Sequence, residues 1–278
     1  MKQWRWSGLF ILCGLSPLLL WAQDQETLQR GKNYIETPVY SEEEDLALLK
    51  QFEGLRVADV SDGMDRVGLP NTGLMDPEIH ALWKDTVHYK HRFIGIAVTV
   101  RYVPASYPHP GYLENTEAFD QWVGKTYGEI TPEPFAPLLR KGTALVIEDA
   151  PRGDVGSIGS NNIMSWISKG CVGVVTSSTA RDTDEIITQQ VPLYLREPGR
   201  GIRPGRNQVE SVNRPVVCGG VLVVPGDVVV ADGDGVIVVP RKVAAEVAAY
   251  AQGILEGDKG GRRALYKKLG LPEDDSVK

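Results

Sequence analysis

The stretch TSSTARDTDEI, residues 176–186, sets Arg181 and Asp182 side by side directly after the apolar run CVGVV. Arginine offers a permanently charged planar fork that fits a carboxylate or an enolate oxygen. Aspartate is a hard oxygen ligand of the kind that magnesium and manganese take. A second segment, RGDVGSIGSNN at 152–162, is rich in glycine and runs into a helix. Its backbone N–H groups near Gly159, Asn161 and Asn162 can hold an anion, because a helix N-terminus leaves them without carbonyl partners. It is not a Walker loop, lacking Gly-Lys-Ser/Thr, nor a dinucleotide fingerprint, lacking the third glycine. Each segment also has a plainer reading. The glycine-rich segment can be a flexible connection with an asparagine cap, and in the other Asp182 or Thr183 can simply cap the helix that follows. Together they suit metal-assisted chemistry on a small oxo-acid.

These segments must be positioned by a strand–helix–strand unit: TALVIEDA, then NNIMSWISKG closed by Gly170, then CVGVVTSS. Such a unit crosses over right-handed and opens its loops at the carboxyl ends of the strands, so both motifs face one crevice. Upstream, SEEEDLALLKQFEGL predicts a helix with Ser41 as N-cap and Glu44 closing a capping box. RVADVSDGMDRVG predicts a second, with Asp59 or Ser61 near its start and Gly68 at its end. RFIGIAVTVRYVP reads as a strand. Residues 104–137 form a long proline- and aromatic-containing insertion, and a connection of that length points to a lid or an interface. RPVVCGGVLVVPGDVVVADGDGVIVVP predicts short antiparallel strands around PGD and DGDG turns. The chain closes on a helical region from Arg241. The pattern alone supports α/β or α+β.

Composition narrows the classes. The chain has 278 residues, 42% hydrophobic and 24% charged, with a formal charge of −6. That is ordinary globular composition, with no basic surface for nucleic acid or anionic lipid. The N-terminus reads as a processing signal: Lys2 and Arg5 precede the apolar GLFILCGLSPLLLWA, and QDQET follows. The apolar stretch is shorter than the roughly 20 residues of a membrane span and contains Pro17. Cleavage is expected near Ala22, with Leu20 at the −3 position, which implies export and no stable membrane insertion afterwards. Leu12 is too large for a lipid site at Cys13. Loss of Lys2 and Arg5 takes the formal charge to about −8. Residues 23–40 are expected to be an extended arm, and 41–278 a single domain. Cys171 and Cys218 can pair in an oxidising compartment, but their apolar settings favour use as small buried hydrophobes. With His80, His88, His91 and His109 they show no zinc spacing.

From Arg56 onward the chain resembles the RraA family, which contains class II 4-hydroxy-4-methyl-2-oxoglutarate aldolases and regulators of ribonuclease activity. The matching pieces are VSDGMDRVG, GIAVTV, GCVGVVTSSTARD, PVVCGGVLVVPGDVVVADGDGVIVVP and GRRALYKKLGLPED. The 104–137 segment looks longer than the family's usual connection. The resemblance implies a layered β/β/α domain with helices added at both ends, assembled as a homotrimer or a dimer of trimers. The family's aldolases carry a glycine, three residues, an aspartate, twenty residues, then Arg-Asp. Gly156 and Arg181–Asp182 stand at that spacing, and Ser160 occupies the aspartate's place. By resemblance, Asp182 ligates magnesium or manganese, Arg181 holds the keto or enolate oxygen, and the amides after Ser160 bind the carboxylate of a 2-oxo acid. An acid from a neighbouring subunit's C-terminal helix also contributes in the family, with Glu256 the nearest candidate here and Asp258 the next. The activity implied is retro-aldol cleavage or decarboxylation of a 2-oxo acid such as oxaloacetate. The alternative is a catalytically silent, trimeric ligand-binding protein.

Overall fold

The computed structural model describes residues 25–107, 109–149 and 154–277. The expected signal segment, with Cys13 and the cleavage site, lies outside these residues, as do Arg152 and Gly153 of the glycine-rich loop. The chain divides into two compact units at Glu36/Thr37. In the first, residues 25–30 are helical (α1), where an extended arm is expected. The other described residues up to 36 have no regular structure. Among the described residues, no helix is long and apolar enough to cross a membrane.

The second unit is built on an eight-stranded mixed sheet. Its centre is parallel: β2 (Phe93–Pro104), β3 (Thr143–Glu148), β5 (Cys171–Thr176) and β7 (Leu193–Leu195) lie side by side in the order β7-β5-β3-β2. Beyond β2 come β12 (Val228–Asp232) and β13 (Gly235–Val239), an antiparallel hairpin, and β1 (His80–Ala81) pairs antiparallel with β7. β9 (Asn207–Val212) pairs antiparallel with the far end of β2. A separate hairpin, β10 (Val216–Cys218) and β11 (Val221–Val223), adds the expected short antiparallel strands.

Strand geometry explains why these segments are apolar nearly throughout. Side chains alternate between faces with period two, and here both faces are covered. Ala144 and Val146 join a core containing the β10–β11 hairpin, whereas Leu145 and Ile147 turn to the opposite core. That second core is closed by Ile163 and Trp166 of α5 (Ser160–Ile167) and Ile186 of α6 (Thr183–Thr188). A third core packs β12 and β13 against α3 (Val57–Arg66) and α7 (Arg241–Leu269).

The helix signals hold with one shift. α2 (Glu42–Gln51) has Ser41 as N-cap, with Glu44 completing the capping box. α3 starts earlier than the serine and aspartate suggest. Arg56 is its N-cap, and Asp59, at the third helical position, accepts from the Arg56 backbone N–H and guanidinium. The carboxylate thus works inside the first turn, where the helix dipole favours it. Ser61 is mid-helix. The 104–137 insertion is not a bare loop: Asn115 caps α4 (Thr116–Glu129), and a 3₁₀ turn follows at Ala136–Leu138.

Candidate functional site

Three consecutive parallel strands of the main sheet each continue, past a break, into a short strand of a second sheet. β3 leads to β4 (Gly156–Ile158), β5 to β6 (Thr179–Ala180), and β7 to β8 (Glu197–Pro198). These three short strands are parallel neighbours in the order β4-β6-β8. Part of the glycine-rich segment is therefore a strand rather than a flexible connection. The two motifs leave the ends of adjacent strands β4 and β6, and each runs into a helix, α5 and α6. Arg181 N–H donates to the Ile158 carbonyl at 2.8 Å, which stitches the second motif to the first.

Two glycines make this approach possible. A Cβ at Gly156 would lie 2.6 Å from the Arg181 Cβ, and one at Gly159 would lie 3.0 Å from Asp182 Oδ2. A side chain at Gly156 would displace Arg181, and one at Gly159 would press on the Asp182 carboxylate.

Asp182 occupies the N-cap position of α6, yet its side chain makes no capping bond there. It reaches across to α5 instead. Its Oδ2 accepts from the Ser160 N–H at 3.1 Å and lies 3.4 Å from the Ser160 Oγ. Oδ1 lies 3.5 Å from the Arg181 Nε. The backbone of Asp182 is left-handed, with φ 58° and ψ 38°. That conformation costs a non-glycine residue about 1 kcal/mol and is tolerated best by Asn and Asp. Both side chains of the pair are a little over one-third exposed. Asn161, on the first turn of α5, is exposed, and Asn162 is half-buried.

Behind α5 stands a group that no local pattern predicts. Glu133, from the 104–137 insertion, accepts from Asn162 Nδ2 at 2.7 Å, Trp166 Nε1 at 2.8 Å and Arg203 Nη2 at 2.7 Å. Arg203 is buried. It also donates to the Tyr102 hydroxyl at 2.6 Å and stands over the Tyr102 and Tyr127 rings. Burial pushes the Tyr102 phenol well above its usual range, so it stays neutral. Beneath β4, buried Asp149 accepts from the Ser157 hydroxyl and from Asn207 Nδ2, the latter at 3.2 Å. Glu133 and Asn207 escape a reading of the sequence because their partners lie tens of residues away.

The C-terminal acids pair with other residues within the chain. Glu256 pairs with Lys259, and Asp258 pairs with Arg56 and Arg262. Among the described residues, no group of three or more His, Cys, Asp or Glu side chains could hold a metal. The oxygens at Asp182 nevertheless fit a hard divalent cation. A carboxylate has about four lone-pair sites, and the three donors around Asp182 leave one. Magnesium is commonly bound by one or two carboxylates, with water and substrate oxygens completing its shell.

Comparison with known proteins places these features. A family model described as RraA-like, aldolase/RraA, matches residues 57–238. A putative 4-hydroxy-4-methyl-2-oxoglutarate aldolase of Halalkalibacterium halodurans is 31% identical over 97 residues, covering 34% of this chain and 45% of that protein. The DlpA protein of Legionella pneumophila is 26% identical over 208 residues, 72% of this chain and 28% of its own length. The chain thus spans less than half of either relative. A solved structure from Pseudomonas syringae pv. tomato superposes with a TM-score of 0.61 at 27% identity, over 85% of this chain and 97% of that one. Streptomyces coelicolor RraAS2, of the RNase ES inhibitor RraA family, superposes with a TM-score of 0.60 at 22% identity, over 82% and 98% of the two chains, and speaks to the fold alone. By the match of its main body and by its fold, the chain belongs to the RraA-like family.

Proposed function

We propose that this protein is a divalent-metal-dependent lyase that cleaves or decarboxylates a small 2-oxo acid, such as 4-hydroxy-4-methyl-2-oxoglutarate or oxaloacetate, and releases pyruvate. One observation carries this reading: Arg181 and Asp182 stand together over the N-terminus of α5, partly open to solvent. The first-turn amides of α5 would bind the substrate carboxylate. Arg181 would place fixed positive charge where the 2-oxo oxygen gains electron density as the carbon–carbon bond breaks. Water would then protonate the resulting pyruvate enolate. The other fragment leaves as carbon dioxide from oxaloacetate or, once the 4-hydroxyl has given its proton to water, as a second pyruvate from the hydroxy-oxo acid. Asp182 would hold magnesium or manganese, which supplies Lewis-acid polarisation of the carbonyl. Glu256 of a neighbouring subunit in a trimer would complete the site.

The test is pyruvate release from oxaloacetate by the purified protein. EDTA should abolish it, and magnesium or manganese should restore it. Turnover that survives full removal of metal would reject the metal-dependent mechanism. Mixing Arg181→Ala and Glu256→Ala subunits should restore part of the activity if the site is shared between subunits. Export is part of the same proposal, and a mature N-terminus near Gln23 would be its signature.

A second reading has its own support. Ser160 brings no charge to the place where the family's aldolases have an aspartate, so the fold can also serve as a silent ligand-binding trimer. Binding of a 2-oxo acid with no turnover, at any metal concentration, would favour it.

A further inference from the structure

We propose that a cleft at the amino-terminal ends of β2 and β3 binds a small amphiphilic carboxylate, a monocarboxylic acid with an apolar body. This inference does not depend on the reading of Arg181 and Asp182, which stand beyond the carboxyl ends of the parallel strands. β3 alone, six residues long, puts roughly 20 Å between the two ends.

The cleft has a volume of about 680 Å³, within the roughly 300–1,000 Å³ usual for small-molecule sites. It is lined by α2 and the turn after it, by the first residues of β2 and by Lys141, just ahead of β3. Its apolar lining includes Leu49 and Ile94, both half-buried, and the buried Leu55 and Phe93. Three cations, Lys50, Arg92 and Lys141, stand against one acid, Glu53. Apolar surface with a net positive charge complements one negative charge on an apolar body. Glu53 disfavours a second negative charge, which makes the ligand a monocarboxylate.

Arg92 is the anchor for the anion. Its backbone N–H donates to the Tyr89 carbonyl at 2.9 Å, in a turn that starts from left-handed Tyr89, with φ 55°. Its guanidinium carbon lies 3.8 Å from the centroid of the Tyr89 ring. That contact engages the charge and none of the five N–H donors. Nε is buried without a hydrogen-bond partner, and among the described residues no carboxylate forms an ion pair with this guanidinium. A half-buried cation without a counter-charge is costly, and the planar fork of arginine fits a carboxylate. A carboxylate from outside the chain, met by the terminal nitrogens, supplies the missing charge. Lys50 and Lys141, both exposed, add to the attraction.

The experiment is isothermal titration calorimetry of octanoate into the purified full chain, with neutral octanamide alongside and the fold checked by circular dichroism. Octanoate should bind, and octanamide should bind about 10-fold more weakly or worse, the scale for losing a hydrogen bond between charged groups. Arg92→Gln should weaken octanoate by a similar factor and leave octanamide unchanged, a selective loss that a merely structural arginine would not produce. Lys141→Glu changes an exposed position, so the fold should be intact while octanoate binds several-fold more weakly. Butanoate should also bind more weakly than octanoate, by up to about fourfold for each CH₂ removed. The inference is overturned by a wild-type protein that binds no octanoate, by equal affinity for octanoate and octanamide, or by octanoate binding that both variants leave unchanged. Sedimentation gives one more check. A wild-type assembly that Arg92→Gln breaks apart would mean that a second copy of the chain covers the cleft, and that result would overturn the carboxylate as well.

Discussion

Asp45 and Asp182 are both carboxylates that face arginine, in two different parts of the molecule. Asp45 receives Arg140 Nη2 at 2.6 Å and Arg241 Nη1 at 2.5 Å, and its side chain is 4% exposed. Arg140 also holds the Tyr40 carbonyl, and Arg241 holds that of Gly226 while lying over the Tyr40 ring. This cluster links α2, the loop before β3 and the start of α7. Asp182 meets one arginine at 3.5 Å, with 37% of its side chain exposed and its backbone left-handed. The first arrangement uses up its charges internally. The second keeps an arginine and a carboxylate accessible at some cost in backbone conformation, as expected where a ligand is to complete the pairing.

The sharpest way to break this contrast is to remove each carboxylate or its partner and compare stability with activity. Asp45→Ala leaves two arginines without their carboxylate and should lower stability by about 2–3 kcal/mol, below the range for a fully buried pair because water reaches Arg140 while Arg241 stays mostly covered. Chemical denaturation checks this. Arg181→Ala should reverse the pattern. Pyruvate release should fall about 100–1000-fold, the scale for losing one preorganised donor, while the melting temperature barely moves.

Gly156→Ala tests whether the close backbone approach matters. Its methyl group would push directly on Arg181, and a displacement of roughly 1 Å can cost about 100-fold in rate. Steady-state kinetics would show a fall in kcat with the fold retained. Asp182→Gly should abolish metal-dependent activity yet change stability by no more than about 1 kcal/mol. Relief of the left-handed backbone offsets the lost bond from Ser160. A large loss of stability would mean that Asp182 is structural, as Asp45 is, and the contrast between the two would collapse.

The smallest effects belong to Cys171 and Cys218, the two thiols among the described residues, which are buried and free. Burial raises the Cys171 thiol from 9.0 to about 11 and the Cys218 thiol from 9.0 to about 12. Each folded-state value lies above its unfolded value. Their contribution to stability is therefore complete below about pH 9 and is lost as pH rises through 11 and 12. Native protein at pH 8 should resist a thiol reagent that reacts rapidly after unfolding, and Cys218→Ala should flatten the alkaline loss of stability.

Much of the scaffold was legible beforehand because it is decided locally. Ser41 and Glu44 are three residues apart, close enough to close a capping box whatever surrounds them. The apolar runs at 143–148, 171–176 and 228–239 have no lasting place but a sheet covered on both faces. The start of α3 is ambiguous in the sequence because Asp59 serves equally well as a cap or as an acid in the first turn. The helix within 104–137 was hidden by the prolines and glycines around it.

The site divides in the same way. The sequence by itself determined that Arg181 and Asp182 follow a core strand and that a glycine-rich segment leads into a helix. It also placed Ser160 at the head of that helix. These are matters of adjacency along the chain. Only the tertiary structure decided that Asp182 would cap α5 rather than α6, a bond across 22 residues. It also decided that Glu133 would reach Asn162 and Arg203, 29 and 70 residues away. Hydrogen bonds and close backbone contacts extend only a few ångströms. Whether they form between distant segments depends on how the parallel strands set β4 beside β6, and no short window of sequence contains that information.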